Sequence, residues 1–265
     1  MSLPAPANTS QRAAPRLDVP KLLLRRMGRA MADFAMIAPG DRILLALSGG
    51  KDSLTLLHLL RAFQQRSPVS FSLAAATVDP MSPDYDPAPL QPYLRELGIP
   101  YFLERQDIVG RAKRHMDRPS YCSFCARMRR GVLYQCARRE GYNVLALGQH
   151  LDDFAESFLM SLFYNGELRT MKAHYRVKDG DLRVIRPLVY CRERQTRAYA
   201  EASHLPVIME NCPACFGTPT ERERMKSLLA LQEERDPRLF NHLRRALQPL
   251  LRQGLDGVPL EDDHA

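Results

Sequence analysis

The sequence predicts an α/β fold, a doubly wound parallel sheet with a basic helix ahead of it and a helical region behind it. Three observations carry that prediction. Short apolar runs of strand length alternate with segments of helical period, the pattern of a parallel sheet covered on both faces. The first run ends in a glycine-rich turn that opens straight into a helix. The 265 residues, 45% hydrophobic and 26% charged, are ordinary globular usage. That length is enough to bury a core without disulfide staples.

Each element follows in order. Residues 1–18 begin Pro-, Ala- and Ser-rich and are expected to be a disordered tail. Across 19–38, Leu22, Leu23, Met27, Met31 and Phe34 recur at helical spacing beside Arg25, Arg26 and Arg29, which predicts a basic amphipathic helix. Pro39-Gly40-Asp41 is a turn and opens a central domain over 39–190. Within it, residues 42–47 read as a buried strand, 48–53 as a turn and 54–63 as a helix. Residues 71–78 read as a second strand. The stretch 79–89 holds four prolines and reads as a loop. A helix over 90–97 stopped by Gly98, a strand over 100–103, and a helix from near Cys125 to Glu140 stopped by Gly141 come next. Then follow a strand over 144–147, a helix over 152–163 and a short strand over 183–185. Residues 191–252 read as mostly helical, with Cys212–Cys215 in a loop, and 253–265 as a loose acidic tail.

Charge narrows the partners. The formal net charge is +8, and 32 of the 38 basic residues are Arg. Between Arg111 and Arg139, nine basic residues face one acid, Asp117. A one-signed stretch attracts polyanions, whereas solvated helix faces interleave both signs. No apolar run approaches the roughly 20 residues of a membrane span, and residues 1–20 lack the apolar segment of a secretory signal. These features exclude a membrane protein, a disulfide miniprotein and a disordered chain, and they lead us to expect a cytoplasmic, reducing setting.

Four of the six cysteines form C-x-x-C pairs, Cys122/Cys125 and Cys212/Cys215, while Cys136 and Cys191 stand alone and read as packing residues. In a reducing compartment, paired spacing points to metal or redox work. A four-cysteine zinc site and an iron–sulfur cluster both fit the spacing, with a redox dithiol as a third reading. Arginines close to Cys122 and Cys125 favour the thiolate.

The strongest motif is Ser48-Gly49-Gly50-Lys51-Asp52-Ser53, between a strand and a helix. Two glycines let the backbone approach a ligand, the N–H groups of the helix start offer an anion site, and Ser48, Lys51 and Ser53 add donors. The glycine spacing is not that of the GxxxxGK(S/T) loop. Asp52, a carboxylate in a phosphate turn, reads as a Mg2+ ligand or a positioning group. Asp79, where the second strand gives way to loop, and Gly148, at the carboxyl end of a parallel strand, join the nucleotide set. So does Asp153 on the next helix. Asp153 and Glu156 also read as simple complements to that helix's dipole.

This turn resembles the PP-loop of N-type ATP pyrophosphatases, which cleave ATP between the α- and β-phosphates and adenylate a substrate oxygen on an adenine nucleotide alpha hydrolase-like fold. The resemblance implies pyrophosphate on Ser48, Gly50, Lys51, Asp52 and Ser53. The motif is followed by C-S-x-C-x-R-x-R-R-G from Cys122, L-G-Q-H-L-D-D from Leu147, I-R-P-L-V-Y-C-R-E from Ile185, and C-x-x-C from Cys212. In that order, across about residues 20–250, the set is similar to the tRNA 2-thiocytidine synthetases. That resemblance implies ATP-dependent 2-thiolation of cytidine 32 in tRNA. It also implies a 4Fe-4S cluster on Cys122, Cys125 and Cys212 with one iron open for sulfur and Cys215 as the fallback ligand. Lys51 and Asp52 join the three cysteines as catalytic residues, and Arg127, Arg129 and Arg130 are expected on tRNA phosphates. The expected companions are ATP, Mg2+, a sulfur donor such as a cysteine desulfurase, and a second copy of the chain in a homodimer. Where the family shows G-H-H, this chain has Gly148-Gln149-His150, and His150 reads as a loop histidine, mostly solvated. Three rivals stand beside this reading. A uridine 2-thiolase usually carries terminal zinc knuckles, a lysidine-type ligase would not need the cysteines, and a zinc-stabilised RNA-binding module leaves the PP-loop unexplained.

Overall fold

The computed structural model describes residues 17–115, 122–178, 180–208 and 220–252. The expected terminal tails, apart from Leu17 and Asp18, and the Cys212/Cys215 pair lie outside them; Leu17 packs on the core, so the packed chain extends ahead of residue 19. The strands are β1 (Asp41–Ala46), β2 (Phe71–Asp79), β3 (Tyr101–Arg105), β4 (Val144–Ala146), β5 (His174–Arg176) and β6 (Arg183–Ile185). They form one sheet in the order β3-β2-β1-β4-β6-β5, parallel throughout except for β5, which runs antiparallel at the edge. β1 is apolar from Ile43 to Ala46, where the strand is central and covered on both faces. Its side chains alternate. Ile43 and Leu45 join one core, and Leu44 joins the other.

The two faces are covered unequally. The first core takes in α1 (Lys21–Asp33), α2 (Lys51–Gln64), α3 (Leu90–Glu96), α6 (Leu151–Met160), α7 (Glu193–Ala202), α8 (Glu221–Arg235) and α9 (Leu239–Arg252). The second is made by α4 (Ile108–His115) and α5 (Cys122–Arg139). The predicted basic helix is therefore part of the fold, with Leu23, Met27, Ala30 and Met31 buried in the first core beside α2. Cys136 and Cys191 pack as expected of small hydrophobes, and burial pushes both thiols up to about 12.

Topology fixes where a ligand sits. The chain runs outward from β1 to β2 to β3, then returns to the far side of β1 to lay down β4. The reversal leaves a crevice beyond the carboxyl ends of β1 and β4, where doubly wound sheets bind ligands.

Several local expectations are corrected. α2 begins at Lys51, not at residue 54, because Gly49 at φ +84° and extended Gly50 complete the turn in two residues. Lys51 and Asp52 are thus the helix's first residues. β2 runs to Asp79, so that carboxylate ends a strand rather than opening the loop. α6 stops at Met160 and passes into a π-helical turn, Ser161–Asn165, closed by Gly166 at φ +68°. α4 and β5 were not anticipated. β5 is three residues of mixed polarity, paired with β6 through a turn that a sequence period does not reveal.

Candidate functional site

The phosphate turn is built by strand, turn and helix acting together. Tyr85, from the proline-rich loop, donates its hydroxyl to the Ser48 carbonyl at 2.9 Å. The Ser53 hydroxyl donates to the Gly50 carbonyl at 2.9 Å, and the Ser48 hydroxyl lies 3.3 Å from that of Ser53. No side chain caps the α2 N-terminus, so the cap is glycine backbone alone. A turn held from outside, with glycines and a helix N-terminus facing the crevice, fits the phosphates of a nucleotide.

Two glycines answer to specific contacts. A Cβ on Gly148 would lie 3.3 Å from the Ser53 nitrogen, so the loop after β4 presses on the first turn of α2. A Cβ on Gly49 would lie 2.8 Å from the Ile208 side chain, and the Ile208 N–H donates to the Gly49 carbonyl at 2.9 Å. Ile208 stands four positions before Cys212 in the sequence. The chain that leads to the late cysteine pair is therefore strapped to the phosphate turn.

Charges at this crevice meet counter-charges from other elements. The Lys51 ammonium reaches Asp52 at 2.8 Å and Glu193 at 3.0 Å. Burial lowers its proton affinity, but these two carboxylates overcome that and raise its pKa. The Thr196 hydroxyl donates to Asp52 Oδ1, and His150 Nε2 lies 3.7 Å from the same oxygen. His150 is buried at the N-cap of α6, which corrects the solvated-loop reading. Its backbone N–H donates to Asp153 at 2.9 Å. Behind it, Asp152 accepts from Arg192 Nε at 3.0 Å and from the Glu193 N–H at 2.8 Å. Arg192 also makes a bidentate pair with Glu233 and lies over the Phe240 ring. Glu156 falls on the second turn of α6, buried, with Arg222 at 3.4 Å. Burial and the neighbouring Asp153 push it up to about 7. Asp79 ends β2 on the same edge of the sheet, accepting from the Met81 N–H at 2.8 Å.

Sequence reasoning assigns nothing to Thr196 or to Lys226, whose ammonium reaches Glu193 at 2.6 Å, and takes Glu193 only as part of a motif. The one usable signal was the Arg192-Glu193 helix start.

The α5 region is arranged differently. Cys122 and Cys125 share its first turn, with the Cys125 side chain half-buried against the second core. Two thiols three apart on a helix are a soft-ligand donor set suited to a metal–sulfur centre, to be completed from elsewhere. Among the described residues, no three or more His, Cys, Asp or Glu side chains are placed to hold a metal ion. Arg127 is exposed, and Arg129 and Arg130 are half-buried. Part of the one-signed stretch is neutralised in space: Arg138 pairs with Asp181 at 2.7 Å, Arg139 with Glu104 at 2.5 Å, and Arg114 with Asp107 at 3.1 Å. No described helix is long and apolar enough to cross a membrane.

Comparison with known proteins gives the family and the fold. The PP-loop domain family matches residues 23–212. A Geobacter sulfurreducens protein described as tRNA-cytidine(32) 2-sulfurtransferase is 45% identical over 86% of this chain and 89% of its own. A Pelobacter propionicus protein of the same description is 40% identical over 96% of each chain. Among solved structures, the U34-tRNA thiolase NcsA from Methanococcus maripaludis, determined with its 4Fe-4S cluster, superposes with a TM-score of 0.69 at 22% identity. It covers 90% of this chain and 84% of its own, and shares the fold.

Proposed function

Because the chain belongs to the tRNA-cytidine(32) 2-sulfurtransferase family of PP-loop proteins, we propose that it replaces the C2 oxygen of cytidine 32 in tRNA with sulfur, using ATP, at the crevice between β1 and β4. The observation that carries this reading is the strap of Ile208 on Gly49. It ties the approach to Cys212 to the turn that would hold the ATP phosphates, so activation and sulfur delivery belong to one crevice.

The base C2 oxygen is a poor leaving group. Its attack on the α-phosphorus of ATP releases pyrophosphate and turns it into AMP, a good one. A sulfur nucleophile then adds at C2, and AMP leaves. Lys51, the α2 N-terminus and the serines of the turn stabilise the departing pyrophosphate. Asp52 positions Lys51 and Thr196, and it is the carboxylate at the start of α2 that would meet a Mg2+ carried by the phosphates. Gly148 leaves room for the turn, and Asp153 fixes the His150 backbone beside it. Asp79 flanks the nucleotide from β2. Cys122, Cys125 and Cys212 would hold a 4Fe-4S cluster, with Cys215 in reserve, and that cluster, when bound, supplies the sulfur-transfer site. Arg127, Arg129 and Arg130 bind tRNA phosphates near it, while single-stranded loop bases are the part of the RNA that can be read. A sulfur donor such as a cysteine desulfurase, a cytoplasmic setting and a homodimer complete the reading.

The test is the modified tRNA itself. Mass analysis of nucleosides from a deletion strain should show 2-thiocytidine lost, and the wild-type gene should restore it. Retained 2-thiocytidine, or loss of a 2-thiouridine instead, overturns the assignment. Anaerobically purified protein should be brown and contain iron; colourless protein with zinc supports the RNA-binding module instead.

A further inference from the structure

One carboxylate at the phosphate site is shared among three cations. Glu193 opens α7, where its backbone N–H is held by Asp152. Its Oε1 lies 3.0 Å from Lys51 Nζ and 2.9 Å from the Arg197 guanidinium, and its Oε2 lies 2.6 Å from Lys226 Nζ. Burial raises its pKa, but the two lysines outweigh burial and bring it down to about 2. It is therefore a full negative charge at any working pH. Three cations converging on one anion, beside a turn suited to phosphate, form the electrostatics of a phosphate subsite with a protein carboxylate in it.

We propose that Glu193 is a positioning residue that exchanges with phosphate for Lys51: the carboxylate yields Lys51 to incoming pyrophosphoryl oxygens and takes it back as inorganic pyrophosphate leaves. Lys226 carries the exchange onward. It lies in the second turn of α8, whose N-cap, Thr220, directly follows the segment that holds Cys212 and Cys215. When Lys51 moves to phosphate, Glu193 is left to Lys226 and Arg197, which tightens the hold of α7 on the start of α8. Occupancy of the phosphate turn thus reaches the helix that anchors the cysteine-bearing segment, 209–219.

The proposal rests on the nucleotide reading of the turn, and the experiment separates the two. Inorganic pyrophosphate is titrated into the full chain by calorimetry and used as a product inhibitor of AMP release in the presence of tRNA. Glu193→Gln keeps size and hydrogen bonding but removes the competing charge. It should bind pyrophosphate at least about fivefold more tightly and lower both KM for ATP and kcat, because product leaves more slowly. A merely structural role would raise KM. Glu201→Gln removes an equal charge about 12 Å along the same helix and should shift neither constant more than twofold. In wild-type protein, pyrophosphate should slow amide exchange over residues 221–229, and Lys226→Met, at a half-exposed position, should abolish that response. Unchanged exchange in wild type, or pyrophosphate binding no tighter in Glu193→Gln, overturns the exchange. Wild-type protein that binds no pyrophosphate and releases no AMP overturns the nucleotide reading itself.

Discussion

At the phosphate turn, Lys51, Asp52, Glu193, Arg192 and Asp152 each meet an opposite charge or a hydrogen-bond donor inside the protein. On α5, Arg127 faces solvent, and Cys122 and Cys125 sit in one helical turn with their expected third partner 87 residues further along the chain. The first region is preorganised. A strand, two glycines and a helix start place Ser48, Lys51, Asp52 and Ser53 within six residues, and the starts of α6 and α7 bring Asp152, Arg192 and Glu193 to them. The second is a half-exposed helix start with two of the proposed ligands, and the chain toward the proposed third leaves the first region at Ile208. On the proposed reading, such a site would keep its activating machinery rigid while the sulfur-bearing part assembles around the RNA.

Variants at the two regions should therefore separate the two half-reactions. The largest effect is expected from Lys51→Ala and Asp52→Ala, which remove stabilisation of departing pyrophosphate. AMP release with tRNA should fall by about 10²–10³-fold or more, and thiolation with it, while the iron content stays. Wild-type AMP release in either variant breaks the contrast. Cys122→Ser, Cys125→Ser and Cys212→Ser should each lose iron and thiolation but keep ATP binding. Cys215→Ser should keep iron and part of the activity. Iron analysis beside nucleoside mass analysis reads both. The opposite pattern at 212 and 215 moves the third ligand, and loss at all four with bound zinc removes the sulfur-transfer half.

The same contrast explains what the sequence disclosed. The switch-point crevice was legible because a short apolar strand, a Gly-Gly turn and an apolar helix are contiguous, and local grammar determines local geometry. The register of α2 was misplaced by three residues because Lys51-Asp52-Ser53 is polar, and its helical character comes from the turn, not from a hydrophobic period. The roles of Thr196, Glu193 and Lys226 were hidden for another reason. Glu193 and Thr196 reach the turn from more than 140 positions away, Lys226 meets it only through Glu193, and an ion pair between distant helices leaves no periodic trace. His150 looked solvated because its burial depends on α2 meeting the start of α6. The basic stretch was overcounted as free charge, since Asp107, Glu104 and Asp181 return to Arg114, Arg139 and Arg138 only in the folded chain.

Smaller effects sharpen the comparison. Charge reversal at Arg129 and Arg130 should weaken tRNA binding roughly tenfold or more and leave ATP binding alone. Wild-type affinity should fall with salt at a log–log slope of about −0.7 to −0.9 per phosphate neutralised. Equal affinity in the double variant takes these arginines out of the interface. At the rigid end, Gly148→Ala puts a Cβ against the Ser53 backbone nitrogen, 3.3 Å away, where no flexible side chain can yield. A cost of about 1–3 kcal/mol is expected, read as a lower Tm and weaker ATP binding with tRNA affinity kept.

The smallest effect concerns Glu156, and its sign follows from burial. Its carboxyl is pushed up to about 7 from an ordinary value of 4.5, first by burial and then by the neighbouring Asp153, with Arg222 and Lys226 only partly offsetting them. The folded state therefore holds this proton more tightly than the unfolded chain does. Between about pH 4.5 and pH 7 the folded protein binds more protons at this position, so its contribution to stability is largest below pH 4.5 and is lost as pH rises through 7. The full swing is on the order of 3 kcal/mol or less. Glu156→Gln keeps the shape and abolishes the charge, so it should flatten the decline in Tm between pH 5 and pH 8 and leave the variant more stable than wild type at pH 8. Arg222, half exposed, loses a partner at 3.4 Å at little cost. Parallel Tm–pH curves for the two proteins would mean that Glu156 stays charged when folded, held by Arg222 and Lys226. In that event the rigid end of the site is compensated in full, and the preorganisation seen around Lys51 extends one helical turn deeper than these contacts imply.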